Sequence, residues 1–284
     1  PVLLLGETGT GKDLAAQAIH SLSNKEDGPY VPVNLGSLPS ELVASELFGH
    51  EKGAFTGAFK QQKGVFETAS EGTVFLDEIE SIGHKVQTSL LRIVEQKKFN
   101  RLGGRRAIRT NARLIAASNE NLDDLVAHGR FREDLYYRLD VFRITLPPLR
   151  ERTSDIPLIA EEYIAKFSQE LNKNIIRINP NCMNTLEDYD WPGNVRELIN
   201  IIQRAVLICD SEEINESHLP LRLQQEKTDP ARLSVEIGTS LNNVEKQLIQ
   251  KTLSHTQNNR KKAAELLGIT RRALYNKLSK HNIR

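Results

Sequence analysis

The stretch that most constrains this chain is Gly6-Glu7-Thr8-Gly9-Thr10-Gly11-Lys12-Asp13. Four apolar residues, Val2 to Leu5, precede it and suit a buried parallel strand, while Leu14 to His20 follow it and favour helix. Strand, glycine-rich turn, lysine and helix in that order make a phosphate cradle. Glycines let backbone N–H groups turn inward toward phosphate oxygens, and the positive end of the next helix points to the same place. The Lys12 ammonium would reach the β- and γ-phosphates of a nucleotide. The position after it usually carries a hydroxyl that helps hold Mg²⁺; here it is Asp13, which has none. The plain alternative is a glycine turn with an incidental lysine, and the flanking strand and helix weigh against it.

Residues 1–146 alternate strand-like and helix-like segments. Val31–Asn34, Thr73–Leu76, Arg113–Ala117 and Val141–Leu146 are the strand candidates, and Lys85–Glu95 is a helix with Val86, Leu90, Leu91 and Val94 on one stripe. Such alternation predicts an α/β layer with a buried parallel sheet flanked by helices. Pro147-Pro148 ends it. Every periodic segment from about Asp155 to Leu221 is helical, which predicts a small all-α subdomain over 147–221. Residues 222–240 are polar, contain Pro230 and Gly238, and suit a linker. A last all-α unit occupies 241–284. From His255 to Arg284, eight basic residues face one acid, Glu265, while the other 254 residues carry 30 basic and 36 acidic groups. A basic tail on an acidic body points to double-stranded nucleic acid as its partner; a solvated charged helix is the alternative.

Cys182 and Cys209 have neither disulfide-framework nor metal-ligand spacing, which suits a reducing cytoplasm. No apolar run approaches the ~20 residues of a membrane span, and no signal peptide is visible. Because a core strand starts at Val2, the chain has the look of a fragment lacking its N-terminal part.

A second nucleotide motif is Thr73-Val74-Phe75-Leu76-Asp77-Glu78. It puts two acids at the C-terminal edge of the sheet, where ligands of open α/β folds bind. Asp77 is placed to hold Mg²⁺, directly or through water, and Glu78 to polarise an attacking water. An exposed acidic turn would be the default for this pair standing alone. Between the motifs lies Glu46 to Phe59, with Gly49, Gly53 and Gly57 around Phe55. Glycines flanking an aromatic make a mobile tip with an apolar knob, commonly a binding device; alternatively Phe55 folds back onto the core.

The segments GETGTGKD, ELFGHEKGAFTGA, GTVFLDEI, FREDLYYRL, LPPLRER and WPGNVREL occur in this order. Together they resemble the bacterial sigma-54-dependent transcription activators, the NtrC-like enhancer-binding proteins, and the resemblance covers nearly the whole chain. It implies an AAA+ P-loop ATPase with a helical lid and a Fis-like helix-turn-helix. It implies ATP and Mg²⁺ bound at Gly6, Glu7, Thr8, Gly9, Thr10, Gly11, Lys12 and Asp13, with Arg196 as the sensor II arginine. Asn34 matches the asparagine that holds the catalytic Glu78 away from water, Asn119 the sensor I residue, and Arg132 and Arg138 the arginine fingers. Those fingers would complete a neighbour's site in a homo-oligomeric ring, hexamer or heptamer. Without the resemblance, Arg132 and Arg138 are helix-surface ion pairs near a helix end, Arg196 a surface pair with Glu197 or a nearby acid, and Asn34 a strand cap.

The six residues Gly53, Ala54, Phe55, Thr56, Gly57 and Ala58 match the loop that touches sigma-54 RNA polymerase. Phe99–Arg109 is a hairpin turning at Gly103-Gly104, either the family's pore-side loop or a plain solvated basic hairpin. In the tail, Leu241–Leu253 is an amphipathic helix. Asn258–Leu267 is a basic helix with Ala263, Ala264 and Leu267 inside, and Thr270 caps Arg271–Lys280, where Leu274 and Leu278 face inward. Arg271, Arg272, Tyr275, Asn276 and Lys277 would face a DNA groove or its phosphates, as a dimer. The reading is an activator that hydrolyses ATP to remodel the polymerase, with a two-component receiver or other sensor ahead of it. An AAA+ machine of another class and a nucleotide-gated repressor are its rivals.

Overall fold

The structure, a computed structural model, describes residues 1–224, 238–256 and 259–281. Most of the expected linker, with Pro230, and the positions of Asn258 and Arg284 lie outside the described residues. The first half alternates as expected: β1 (Val2–Leu5), α1 (Lys12–Ser21), β2 (Tyr30–Asn34), α2 (Ser40–Phe48), α3 (Val65–Ala69), β3 (Thr73–Asp77) and α4 (His84–Gln96). Next come β4 (Lys98–Asn100), β5 (Ala107–Arg109), β6 (Arg113–Ser118), α5 (Leu122–Ala127), α6 (Glu133–Leu139) and β7 (Arg143–Thr145). The second half holds α7 (Asp155–Glu170), β8 (Arg177–Ile178), α8 (Pro180–Asp188), α9 (Asn194–Ile208), β9 (Glu213–Ile214) and α10 (Leu221–Gln224). It closes with α11 (Leu241–His255), α12 (Arg260–Leu266) and α13 (Arg271–Lys280).

Five strands form one parallel sheet in the order β2-β3-β6-β1-β7. The three inner strands β3, β6 and β1 are near-continuous apolar runs, as suits strands covered by helices on both faces. The pleat divides them by alternate residues. Leu3, Val74, Leu76, Leu114 and Ala116 join the core beneath α2, α4, α5 and α6, whereas Val2, Leu4, Phe75, Ile115 and Ala117 pack with Ala16 of α1. The α4 stripe is Val86, Leu90 and Ile93, with Leu91 and Val94 at its margin. The last strand is shorter than its sequence suggests: Val141 and Phe142 are exposed and only Arg143–Thr145 pair with β1.

The described residues divide into two compact units, Pro1–Arg177 with Asp190–Glu213, and Ile178–Tyr189 with Ile214–Arg284. In the first, α7 packs on α9 through stripes at helical spacing, Ile156, Ala160, Ile164 and Phe167 against Leu198, Ile201, Ile202 and Ala205. The sole non-helical pairing among the described residues of 155–221 is the two-residue ladder of β8 and β9. Trp191, just before α9, is completely buried. Truncating it to alanine should cost about 3–5 kcal/mol. The check is a urea titration followed by circular dichroism, since the substitution removes the one tryptophan of the chain. In the second unit, α8 packs on α10. There α11, α12 and α13 also share a core of Ile249, Leu253, Ala263, Ala264, Leu274 and Leu278. No helix among the described residues is long and apolar enough to cross a membrane.

Candidate functional site

The sheet order places the C-terminal ends of β3, β6 and β1 side by side, so three loops distant in sequence meet at one edge. From β1 comes the turn Gly6–Gly11, ending at α1, where Lys12 is buried. The Lys12 Nζ donates to Gly6 O at 2.8 Å, Glu7 O at 3.0 Å and Asn119 Oδ1 at 2.6 Å. Burial lowers its pKa, partly opposed by the Asp77 and Glu80 carboxylates. Gly9 has φ +81°, and a Cβ there would stand 2.4 Å from Gly193 O, so the close approach requires glycine. The Thr10 hydroxyl donates to Glu7 O at 2.9 Å, inside the turn.

From β3 come Asp77 and Glu78. Asn34 lies opposite Asp77 in the parallel register of β2 and β3. Its Nδ2 donates to Glu78 Oε1 at 3.1 Å and, more weakly, to Asp77 Oδ2 at 3.4 Å. Glu78 is left-handed, φ +57°, an uncommon conformation for a residue with a Cβ, and it aims the carboxylate back toward Asn34. Burial raises the Asp77 pKa, against the opposing pull of the Glu78 N–H and Lys12. From β6 come Ser118 and Asn119. Thr8, Gly9, Gly11, Lys12, Asp13, Asp77, Glu78, Asn119 and Arg196 line one cleft.

Glu80 adjoins this group through Asn119 and has no motif signature. It sits in a short 3₁₀ turn, Ile79–Ser81, and accepts the Asn119 N–H at 3.1 Å. Its second carboxylate oxygen is buried without a partner among the described residues, and desolvation pushes its pKa up. Position three beyond Asp77 was the available signal, and it is too common to single a residue out.

The cleft suits Mg²⁺. Asp13 and Asp77 are hard oxygen donors beside the phosphate cradle. No set of three or more acidic, His or Cys side chains among the described residues could hold an ion by itself. Carboxylate oxygens beside a phosphate cradle are the donor type that Mg²⁺ takes, an ion that keeps several waters and binds phosphate oxygens.

Arg132 and Arg138 lie outside that lining. Arg132 is the N-cap of α6, at its start rather than near its end, and Arg138 is in its last turn. Arg132 forms a bidentate pair with Asp134 at 2.9 and 2.6 Å, and Arg138 Nε meets Glu95 at 2.9 Å. Both are exposed pairs, screened by water, of a kind that adds little to stability.

The glycine-flanked segment is a hairpin whose neck is the bridge of His50 with Gln62. Gly53 N–H donates to Ala58 O at 2.8 Å, closing the tip, and Ala58 is buried while Thr56 and Gly57 are exposed. Phe55 takes neither expected extreme. It is 39% exposed, with its ring edge against His50 at 5.0 Å. The freest aromatic is Phe59, 83% exposed, which the sequence reading passed over. The adjacent hairpin of β4 and β5 is only partly a solvated basic loop. Its Arg101 side chain is largely buried, bonded to Glu67 at 2.7–3.0 Å and to Glu51 at 2.9 Å; Arg105, Arg106 and Arg109 are exposed. Arg101 thus ties the base of the first hairpin to α3.

In the second unit, Gly268 (φ +65°) turns the chain from α12 to α13, and the Thr270 hydroxyl caps α13 by accepting from Ala273 N–H at 3.2 Å. Arg271, Arg272, Tyr275 and Asn276 form an exposed row, with the Arg260 guanidinium 5.2 Å over the Tyr275 ring. Lys277 departs from that row and pairs with Glu245 of α11, which also accepts from His281 at 3.0 Å. These partners hold the Glu245 carboxyl at about 2.

A glycine cradle on a central strand, an acid pair on the next strand but one and a polar sensor between them define an AAA+ P-loop nucleotide-binding fold. The chain belongs to the sigma-54 interaction domain family, which matches residues 1–145; an AAA+ ATPase lid domain matches 150–235 and the Fis family of bacterial regulatory proteins matches 240–281. It is 44% identical over 288 residues to the regulatory protein AtoC of Escherichia coli (strain K12), covering 99% of this chain and 62% of that protein. It is 46% identical over 281 residues to the transcriptional regulatory protein ZraR of Salmonella typhimurium, covering 98% and 63%. The crystal structure of NtrX from Brucella abortus in complex with ADP superposes with a TM-score of 0.74 at 29% identity, covering 99% of this chain and 64% of that one. The chain thus spans a little under two thirds of the length of these relatives.

Proposed function

We propose that the chain is the motor and DNA-binding portion of a transcription activator. It hydrolyses ATP to ADP and phosphate, and uses the cycle to remodel sigma-54 RNA polymerase for promoter opening. One observation carries this reading: the nucleotide cleft shares a unit with a glycine-flanked hairpin that presents Phe55, Thr56 and Gly57 to solvent. Residues 1–146 are the α/β ATPase part, 147–221 the lid, 222–240 a linker and 241–284 the DNA-binding part, which tethers the assembly at an upstream site as a dimer. Similarity to NtrX, solved with ADP and with ATP, supports nucleotide at the cleft.

The residues divide the work by position. Gly6 to Asp13 cradle the phosphates with Lys12 on the β- and γ-oxygens. Mg²⁺ bound with ATP, held near Asp77 directly or through water, would neutralise charge on the phosphates. Glu78 takes the proton of the attacking water once Asn34 releases its carboxylate. Asn119 senses the γ-phosphate and Arg196 the bound nucleotide. Arg132 and Arg138 act on a neighbour's nucleotide in a homo-oligomeric ring. Catalysis of this kind is positioning plus electrostatics. A reducing cytoplasm is the compartment this function requires.

The test is deletion of Phe55–Gly57. Transcription from a sigma-54 promoter should be lost while ATP hydrolysis and DNA retention persist. Activation surviving the deletion would point instead to a repressor or to an AAA+ machine of another class.

A further inference from the structure

The outer side of the P-loop is bonded as systematically as its inner side is open. The Glu7 carboxylate is held by Arg150 in two bonds, 2.6 and 2.9 Å, and accepts from Asn194 Nδ2 at 3.1 Å. Those partners pull the Glu7 carboxyl down to about 2. The same Asn194 amide donates to Thr8 O at 3.1 Å, and its Oδ1 accepts the Leu149 N–H at 2.8 Å. Arg152 donates to Thr10 O at 2.8 Å, and the Arg196 N–H reaches Gly9 O at 3.4 Å. Asn194 is completely buried and left-handed, φ +51°, so one side chain joins the P-loop, the segment after Pro148 and the start of α9.

The peptide plane gives these bonds a consequence. A carbonyl and the next residue's N–H are rigidly opposed across a trans peptide. Holding Thr8 O and Thr10 O outward therefore points the N–H groups of Gly9 and Gly11 inward. Neither N–H donates to an acceptor among the described residues, and both glycines line the cleft. Arg196, two residues beyond Asn194, lines it too.

We propose that Asn194, Arg150 and Arg152, with Glu7 as their anchor, are positioning residues that preset the P-loop amides for phosphate and carry Arg196 to the same nucleotide. This rests on the cleft being the ATP site. In this scheme the side chains of Asn194, Arg150, Arg152 and Glu7 do not touch phosphate, the Glu7 carboxylate being taken up by Arg150 and Asn194; they act through Gly9, Gly11 and Arg196.

The measurement is ADP affinity of the full chain, by calorimetry or a fluorescent ADP analogue, with Lys12→Ala as control. Asn194→Ala and Arg152→Met, which free the Thr8 and Thr10 carbonyls respectively, should each raise the ADP Kd by about tenfold, the scale of one well-made hydrogen bond to the loop backbone. In a double-mutant cycle, Arg196→Ala should cost much less affinity in the Asn194→Ala background than in the parent chain. The proposal is overturned if Asn194→Ala and Arg152→Met both bind ADP as the parent does, or if the Arg196→Ala effect is the same in both backgrounds. Arg152→Met serves alone if Asn194→Ala fails to fold. Unaltered ADP binding by Lys12→Ala would instead sink the assignment of the cleft itself.

Discussion

Glu78→Ala should bind ATP as the parent chain does and hydrolyse it about 10²–10⁴-fold more slowly, the range for loss of a positioned general base. Binding survives because the cradle assigned to phosphate is Gly6–Asp13, the turn between β1 and α1 with the start of α1, and not β3. Hydrolysis falls because Glu78 is the carboxylate assigned to the attacking water; Asn34 Nδ2 stands 3.1 Å from its Oε1. In the proposed mechanism that bond is an off state, because it turns the Glu78 carboxylate toward Asn34 and away from the water it would polarise, and rotation of Asn34 would release it. Steady-state phosphate release and nucleotide titration on the same preparation check the prediction. Hydrolysis at the parent rate would remove Glu78 from the mechanism.

Arg132→Ala should lower hydrolysis further, by about 10³–10⁵-fold where an arginine finger acts. The loss should appear only in the assembled protein. Within one chain Arg132 pairs with Asp134, is partly exposed, and is absent from the lining of its own cleft. Removing an exposed pair of that kind costs a fold almost nothing, so any large effect on rate must come from a site in another copy. Mixing the Arg132→Ala chain with a Lys12→Ala chain separates the two needs. Each subunit lacks what the other retains, and hydrolysis should recover part of the parent rate at intermediate ratios. Failure of every mixture to exceed its components would rule out action between subunits.

The parts of this protein that were readable from the chain are those encoded by short-range pattern. An apolar run before a glycine turn, a strand ending in two acids, a threonine ahead of a basic helix and glycines around Phe55 each fit within about ten residues. Their physics is local: strand and helix periods, caps, and the φ freedom of glycine. The parallel sheet and the paired Asp77 and Glu78 followed from such segments, and the bond from Asn34 to Glu78 followed from the family resemblance. The stripe on α4 needed only a shift of its centre to Ile93.

Other features depend on which segments the fold brings together. Glu7 meets Asn194 across 187 positions and Arg150 across 143. Arg101 meets Glu67 across 34, and Lys277 turns inward to Glu245 across 32. Glu80 adjoins the site because β3 and β6 are neighbours, not because of the residues beside it. A charged side chain has no period and no propensity that reveals its partner; its role depends on the desolvation and the donors that the packed chain places around it. Sequence by itself therefore determined the phosphate cradle, the class of fold and the helical tail. Tertiary structure decided which charges face the cleft, which hold it in shape and which are left to solvent, because only strand order and helix packing set distances between residues so far apart in the chain.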